Sequence, residues 1–285
     1  MSKVWLITGA SRGLGRSLLE AALRNGAKVL ATARNTSPFA DLQAQYGEHL
    51  ATFELDVTNG AQANAAVTEA ERRFGRLDVL VNNAGYGHIE PFEYTPDEDF
   101  RAQIETNFFG VVNLTRAAIP VMRAQGGGYI FQISSVGGRV SSPGLSAYQA
   151  AKWAVGGFSD VVGKEVAPFG IRICTLEPGG MRTGWGHEAR ETLHELPADY
   201  QPSMGEFKAL IDAYVGHEVG DPERIANVVV KLATRETIPS RLLLGSDATQ
   251  VFEAEAQTRE ASRQQWKPVT LSADFGSATP EWPLE

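Results

Sequence analysis

The stretch VWLITGASRGLGRSLLE, residues 4–20, joins a short apolar run, a glycine-rich turn and a segment with helical periodicity. Gly9 lets the chain turn sharply, while Gly13 and Gly15 let the backbone approach a ligand and let the helix pack closely on the strand. The helix directs its free N–H groups and the positive end of its dipole toward the turn, which favours an anion there. The stretch therefore predicts the start of a βαβ unit with a phosphate-binding turn.

Further apolar, β-branched runs follow along the chain, separated by segments with helical periodicity. Most of these runs are apolar almost throughout, as in parallel strands that are covered on both faces. The alternation predicts right-handed crossovers and an α/β fold, a doubly wound parallel sheet with helices on both faces in a single domain. The further strands are predicted in KVLATA, ATFELDV, LDVLVNN, YIFQIS, IRICTLEP and RLLLG.

Glycine and capping residues mark several helix ends. Helices are predicted to end at Asn25-Gly26 and at Phe74-Gly75, and another to begin with Asp221 as its cap and Pro222 as its first residue. The segment at 100–125, FRAQIETNFFGVVNLTRAAIPVMRAQ, reads as one long helix.

The domain organisation predicted is a main unit at 1–248 and a C-terminal helix and tail at 249–285. Between Gly184 and Gly220 the alternation of predicted strands and helices stops, and a long connection follows that carries Trp185 and other aromatic residues. Connections of this length are usually lids or binding loops, so we predict a substrate-binding lid; a structured but inert excursion is the alternative. The tail, from Lys267, contains prolines and little periodicity, and is expected either to be disordered or to pack across a neighbour.

Composition excludes several classes of function. The chain has 26 basic and 34 acidic residues, a net charge of −8, so no nucleic-acid partner is expected. No apolar stretch approaches the roughly 20 residues of a membrane span, and the first apolar run stops at Thr8-Gly9, too early for a signal peptide. The single cysteine, Cys174, rules out an intrachain disulfide and fits a reducing compartment. We therefore expect a cytoplasmic protein, and we assign no metal ligands.

The end of the second strand concerns the choice of cofactor. Ala33 and Arg34 stand where an NAD-binding fold usually carries an acidic residue for the ribose diol. An acidic group would repel a 2′-phosphate, whereas Arg34 offers it a planar fork of donors, and Arg12 can join from the glycine turn. The pattern favours NADP (NADPH) over NAD; the alternative is two ordinary surface arginines.

The stretch SAYQAAKWAVGGF, residues 146–158, places a tyrosine one helical turn before a lysine. Tyr148 and Lys152 are four residues apart and so share one face of a helix. One interpretation is a surface pair; the other is an acid whose proton the neighbouring cation loosens. The spacing alone leaves both open.

Seven short motifs in a characteristic order carry a resemblance that spans roughly residues 3–248. They are TGASRGLG at 8–15, DVT at 56–58, NNAG at 82–85, Asn107 in TNFFG, ISS at 133–135, YQAAK at 148–152 and PGG at 178–180. The chain resembles the short-chain dehydrogenases/reductases in their compact, single-domain subgroup, and more loosely the branch of steroid- and retinol-type dehydrogenases. The resemblance implies a Rossmann fold and an oxidoreductase.

Cofactor-binding roles follow from the resemblance, position by position. The nicotinamide ribose would be held by Lys152 beside Tyr148, while Asn82 would brace the centre of the sheet. The pyrophosphate and adenosine ribose would be surrounded by Gly9, Ser11, Arg12, Gly13 and Leu14, with Arg34 nearby, and the adenine would meet Asp56 and Val57. Beside the cofactor would lie Asn83, Ala84 and Gly85, and its nicotinamide end would be held by Pro178, Gly179, Met181 and Thr183.

The catalytic roles implied by the resemblance match what ketone reduction requires, a hydride on carbon and a proton on oxygen. Tyr148 would be the acid, because Lys152 and the oxidised nicotinamide stabilise its phenolate. Ser135, selected over Ser134 by its offset of 13 from the tyrosine, would donate a hydrogen bond to the carbonyl oxygen. Asn107 would steady a water linking Lys152 to solvent, or satisfy a helix kink.

The sequence thus predicts an NADP(H)-dependent enzyme that interconverts a ketone or aldehyde and the corresponding alcohol. The alternatives are a non-catalytic NADP-binding redox sensor and, on the same fold, an epimerase or dehydratase. The aromatic residues of the 184–220 connection suggest an apolar carbonyl or alcohol substrate. A homodimer is expected, built from the long helices around 97–124 and 147–166, because the family commonly pairs them.

Overall fold

In residues 2–193, 195–280 and 282, which the computed structural model describes, seven strands form one parallel sheet. Their order is β3-β2-β1-β4-β5-β6-β7, so the direction of strand addition reverses between β1 and β4. The predicted doubly wound parallel sheet is confirmed. The strands are β1 (Val4–Thr8), β2 (Lys28–Ala33), β3 (Leu50–Glu54), β4 (Val79–Asn82), β5 (Gly128–Ile133), β6 (Ile171–Pro178) and β7 (Arg241–Leu244).

Helices cover both faces of the sheet and also form the long connection after β6. They are α1 (Gly13–Arg24), α2 (Ala40–Tyr46), α3 (Gly60–Phe74), α4 (Asp97–Ile104), α5 (Gly110–Ala124), α6 (Ser146–Val166), α7 (Gly184–Thr192), α8 (Gln201–Tyr214), α9 (Pro222–Leu232) and α10 (Ser246–Leu271).

The alternation of side chains along β1 divides the core into two layers. Trp5 and Ile7 pack in the layer that includes Leu18 of α1 and the inner side of α9. Leu6, between them, points the other way, into the layer that includes Leu114 of α5 and the inner side of α3. These strand residues are 0–2 % exposed. Burial on both faces explains why the strands are apolar throughout.

The predicted helix ends are found at their capping residues. The Asn59 side chain accepts hydrogen bonds from the N–H groups of Ala61 and Gln62 at the start of α3, and Gly75 ends that helix in the left-handed conformation, with φ +82°. Asp221 likewise accepts from two backbone N–H groups at the start of α9, with Pro222 as the first helical residue. The predictions for Gly75, Asp221 and Pro222 are confirmed.

The long helix predicted at 100–125 is interrupted in the structure. Residues Glu105–Phe109 form one π-helical turn between α4 and α5. A π turn leaves part of the normal ladder of backbone bonds unmade, and here the Asn107 side chain donates to the Gln103 carbonyl at 2.8 Å. Helical periodicity in the sequence does not distinguish such a turn from continuous α-helix.

The C-terminal helix is longer than the sequence suggested. α10 continues through the segment predicted to begin the tail and ends at Leu271, with Pro268 inside the helix. The ring of Trp282 then packs edge-on against Trp266, at 6.1 Å between centroids. Met1, His194 of the predicted lid, and residues 281 and 283–285 of the predicted tail lie outside the described residues. Among the helices that the structure describes, none has both the length and the apolarity needed to cross a bilayer.

Two helical glycines provide a test of how tightly α1 is packed. A β-carbon on Gly15 would overlap the Gly9 carbonyl oxygen and lie 2.5 Å from Asn83 Nδ2, whereas one on Gly157 of α6 meets nothing within 4 Å. We expect Gly15→Ala to lower the free energy of unfolding by about 1–3 kcal/mol, the usual cost of overpacking. Gly157→Ala should raise it by about 0.4–1 kcal/mol by restricting the unfolded chain. Urea denaturation at one protein concentration measures both, and equal effects would contradict this packing.

Candidate functional site

The connections after the neighbouring strands β1 and β4 lead to helices on opposite faces of the sheet, which creates a crevice at its carboxyl end. The Asn83 side-chain amide, just after β4, donates to the carbonyls of Thr8 at 2.9 Å and Gly9 at 3.1 Å. The Thr8 hydroxyl in return accepts from the N–H groups of Asn83 and Ala84, at 2.9 and 3.0 Å. Such a switch point is where open α/β sheets bind ligands. The amide of Asn83 holds the two loops together, which is a structural role beside its predicted contact with a cofactor.

The glycine turn forms the floor of this crevice. Gly9 has φ +61°, and a β-carbon there would lie 2.9 Å from the Ala84 α-carbon. Gly13 has φ +52°, and a β-carbon there would lie 3.5 Å from Thr183 Cβ. Arg12 precedes α1 in an extended conformation and provides no side-chain cap. The first N–H groups of α1 are thus left for a ligand, and these residues fit the pyrophosphate of a dinucleotide.

The other residues predicted to bind the adenosine half lie at the same edge of the sheet. Asp56 follows β3, and its Oδ1 accepts from the backbone N–H of Thr58 at 2.9 Å and from its hydroxyl at 2.8 Å. Val57 beside it is buried. Leu14 is also buried in the core, so only its backbone faces the crevice; Ser11 is half-buried.

Two arginines predicted to select the cofactor are in different situations. Arg34 lies exposed after β2, next to the buried Ala33, and makes no hydrogen bond or ion pair in the described part of the chain. Arg12 is exposed as well, but its Nη1 is paired with Oε1 of Glu188 in α7. The structure therefore leaves Arg34 available and engages Arg12 with the connection after β6.

Ser135, Tyr148 and Lys152 come together above the crevice. Tyr148 and Lys152 lie on α6 and are 9 % and 4 % exposed. Ser135 follows β5, and its side chain is hydrogen-bonded to that of Tyr148. Lys152 Nζ donates to the Ile133 carbonyl at 2.8 Å and lies 5.5 Å from the centroid of the Tyr148 ring. The exposed surface pair that the sequence left open is not what the structure contains.

The neighbouring Ser134 has a separate role. Its hydroxyl is buried and donates to the Lys152 carbonyl at 3.3 Å, which joins the end of β5 to α6. Ser135, by contrast, directs its hydroxyl to the Tyr148 oxygen, and its Oγ accepts from the N–H of Gly137 at 3.0 Å. The offset of 13 residues therefore selected the serine that faces the tyrosine.

Burial controls the protonation of the pair. Desolvation raises the pKa of Tyr148 to about 12, and the hydrogen bond with Ser135 offsets only part of that rise. Desolvation lowers the pKa of Lys152 to about 8. The expected lowering of the tyrosine pKa by Lys152 is thus absent from this closed arrangement. Tyr148 holds its proton at neutral pH, which is the form that a proton donor needs.

Asn107 is fully buried in the π turn between α4 and α5. Its Nδ2 donates to the carbonyls of Gln103 and Tyr86, both at 2.8 Å, and its Oδ1 accepts from the Tyr86 N–H at 3.2 Å. The interpretation as a residue that satisfies a helix kink fits these contacts. They also fix the segment around Gly85 beside the crevice; the role in holding a water stays a prediction.

The connection at 184–220 lies over the catalytic residues. The ring of Trp185 in α7 packs on that of Tyr148, 5.1 Å between centroids at 47°. A β-carbon on Gly87 would lie 2.9 Å from atoms of both rings. Farther along, the Thr192 hydroxyl accepts from the Ile89 N–H at 2.9 Å. The connection therefore covers Tyr148 with an aromatic ring, and its role as a substrate-binding lid stays a prediction.

The residues predicted to hold the nicotinamide end lie between β6 and α7. Pro178 ends β6, Met181 forms a bridge with Gly220, and the Thr183 hydroxyl accepts from the N–H of Trp185 at 3.4 Å as the cap of α7. This loop therefore begins at the sheet edge and runs directly into the cover over Tyr148.

Asp247 at the start of α10 is a site residue that the sequence did not reveal. Its Oδ2 accepts from the Gly180 N–H and from the Tyr214 hydroxyl, both at 2.7 Å. A β-carbon on Gly179 would overlap the same carboxylate. Asp247 thus joins the loop after β6 to the end of α8. It lies 67 residues from Gly180, and no local pattern signals the contact.

Comparisons with known proteins agree with the fold. The family model described as short chain dehydrogenase matches residues 3–194. The chain is 44 % identical over 274 residues to the oxidoreductase BOA17 of Botryotinia fuckeliana, which covers 96 % of this chain and 100 % of that protein.

Solved structures resemble the chain over most of its length. A short-chain dehydrogenase from Streptomyces avermitilis superposes with a TM-score of 0.87 at 37 % identity, covering 96 % of this chain and 100 % of that one. A 3-ketoacyl-(acyl-carrier-protein) reductase from Brucella melitensis, solved in complex with NADH, gives a TM-score of 0.72 at 26 % identity, covering 87 % and 98 %.

Proposed function

The chain belongs to the short-chain dehydrogenase/reductase family of oxidoreductases, and on that premise we propose that it interconverts a ketone or aldehyde and the corresponding alcohol with NADP(H). The observation that carries the proposal is the assembly of Ser135, Tyr148 and Lys152 in one buried cluster at the sheet edge that fits a dinucleotide. A protein that only sensed the dinucleotide would not need a hydrogen-bonded phenol and a buried ammonium together.

The chemistry divides between the cofactor and the chain. Bound NADPH supplies the hydride that reduces the carbonyl carbon. The Tyr148 hydroxyl donates its proton to the carbonyl oxygen, and the Ser135 hydroxyl donates a hydrogen bond to the same oxygen as charge develops on it. The Lys152 ammonium stabilises the phenolate that remains on Tyr148. In the direction of oxidation the same phenolate accepts the alcohol proton.

The substrate side of the cluster favours an apolar group. Trp185 packs directly on the ring of Tyr148, and the buried side chains of Ile89 and Met204, each 2 % exposed, lie together beside Gly144. A charged substituent would lose its hydration against these surfaces without gaining a partner. We therefore propose a carbonyl substrate with an apolar or aromatic substituent.

The proton donor can be tested by Tyr148→Phe. The change removes one hydroxyl and leaves the ring contact with Trp185, so fold and cofactor binding should persist while turnover falls by at least about a hundredfold, as expected on loss of a general acid. NADPH absorbance, followed with a panel of ketones, aldehydes and alcohols, measures turnover. Tyr46→Phe, at a partly buried tyrosine of α2 that packs against the core, is the matched control and should keep its rate. Near-normal reduction by Tyr148→Phe would rule out this acid.

Cofactor choice gives a second test, because Arg34 is exposed and no acidic residue follows Ala33 at the end of β2. A charge-assisted hydrogen bond contributes about 1.5–3 kcal/mol, and solvent screening reduces that contribution at an exposed site. We therefore expect kcat/KM to be about ten- to several-hundred-fold higher with NADPH than with NADH. Ala33→Asp combined with Arg34→Ala should reverse or erase that preference. Arg224→Ala, which alters an exposed arginine on α9, is the control. Equal kcat/KM with both cofactors for the unmodified chain would contradict the proposed preference for NADPH.

We also propose a homodimer formed through the helices around 97–124 and 147–166. Large apolar side chains are exposed there, among them Phe109 at 43 %, Trp153 at 39 % and Val161 at 58 %. Light scattering should give twice the chain mass of 30.8 kDa at micromolar concentration. Val161→Lys should weaken the dimer, whereas Val219→Lys, equally exposed in the connection after β6, should not. A monomeric mass for the unmodified chain would contradict the proposal.

A further inference from the structure

One face of α7 spans the site from the catalytic tyrosine to the glycine turn. Trp185 and Glu188 are three residues apart and so lie on the same side of this helix. Trp185 contacts the ring of Tyr148, and the carboxylate of Glu188 accepts a hydrogen bond from the Arg12 guanidinium. A movement of α7 that breaks one of these contacts therefore disturbs the other.

The ion pair between Arg12 and Glu188 can separate at little cost in free energy. Their side chains are 67 % and 46 % exposed, and exposed ion pairs contribute little to stability. Arg12 has no other hydrogen bond or ion pair in the described residues, so Glu188 is its sole anionic partner there. A stronger anion at the glycine turn would compete for the same guanidinium.

We propose that Glu188 is a specificity-determining residue that competes with the 2′-phosphate of NADP(H) for Arg12. The inference rests on the proposed binding of NADP(H), with Arg12 beside that phosphate. With the phosphate present, the carboxylate must either give up the guanidinium or share it with a second anion. Both outcomes weaken the contact that holds α7 in its seated position, in which Glu188 is paired with Arg12 and Trp185 packs on Tyr148. NADH carries a hydroxyl at this position and creates no such conflict.

Binding of the phosphate and seating of α7 must then weaken each other by the same factor, since such coupling is reciprocal. Release of Glu188 also withdraws Trp185 from Tyr148, because both side chains belong to one helix. The 2′-phosphate would thus help to uncover the proton donor before the carbonyl substrate enters.

The test uses two ligands that differ only in the 2′-phosphate, adenosine 2′,5′-bisphosphate and adenosine 5′-monophosphate. Isothermal titration calorimetry at low ionic strength, where an exposed pair is least screened, gives their dissociation constants. We expect Glu188→Gln to tighten binding of the bisphosphate about two- to fivefold, the range of an exposed ion pair, and to leave the monophosphate unchanged.

Two further variants isolate the pair. Glu191→Gln removes the same charge from the same helix, at a residue with no hydrogen bond or ion pair in the part of the chain that is described, and should change neither constant. In the Arg12→Ala background, Glu188→Gln should lose most of its effect, as a double-mutant cycle requires for a direct pair.

Hydrogen exchange of the α7 amides supplies a readout independent of affinity and of catalysis. The bisphosphate should speed exchange in residues 184–192 of the unmodified protein, and the monophosphate should not. In Glu188→Gln the exchange should be fast before either ligand is added.

The outcomes separate this inference from the cofactor proposal. Suppose that the unmodified protein prefers the bisphosphate and that the Glu188→Gln variant has the same affinities and the same exchange rates as the unmodified protein. The proposed competition is then wrong, and the NADP preference stands. If no variant prefers the bisphosphate over the monophosphate, both are overturned. Equal tightening by Glu191→Gln would also overturn the competition, since the effect would then be one of general charge.

Discussion

The close approach of two loops at the carboxyl end of the sheet is the constraint on which the site depends. The amide of Asn83 joins the ends of β1 and β4 by donating to two carbonyls, and the hydroxyl of Thr8 accepts across the gap from the N–H groups of Asn83 and Ala84. Gly9 and Gly15 are needed because a β-carbon on either would press into the opposite backbone. This approach sets the shape of the crevice and aims the first N–H groups of α1 at it.

Burial gives the catalytic cluster its acid–base character. Desolvation disfavours both the phenolate of Tyr148 and the ammonium of Lys152, so their pKa values move apart, to about 12 and about 8. Because Trp185 provides part of that burial, the position of α7 affects the acid itself. Withdrawal of the indole would admit water or substrate and ease ionisation of the phenol. The connection after β6 is therefore coupled to the chemistry as well as to access.

That connection is anchored at both of its ends. Thr183 caps α7 close to Gly13 of the glycine turn, and Tyr214 at the end of α8 is hydrogen-bonded to Asp247. Asp247 also holds the Gly180 N–H, so the start of α10 braces the loop that follows β6. The contacts of Glu188 with Arg12 and of Trp185 with Tyr148 lie between these anchors, on the partly exposed helix α7.

The sequence by itself determined the seven strands, their parallel sheet and the helix ends at Gly75 and Asp221, because hydrophobic period and capping are local properties. It also indicated Ser135, Tyr148 and Lys152, through the resemblance that their motifs carry to a known family. It did not reveal the π turn at Asn107, since that turn keeps helical periodicity, nor the length of α10. The pKa of Tyr148 and the contacts of Glu188 and Asp247 were decided only by tertiary structure, because desolvation and pairing depend on groups that are distant in the chain.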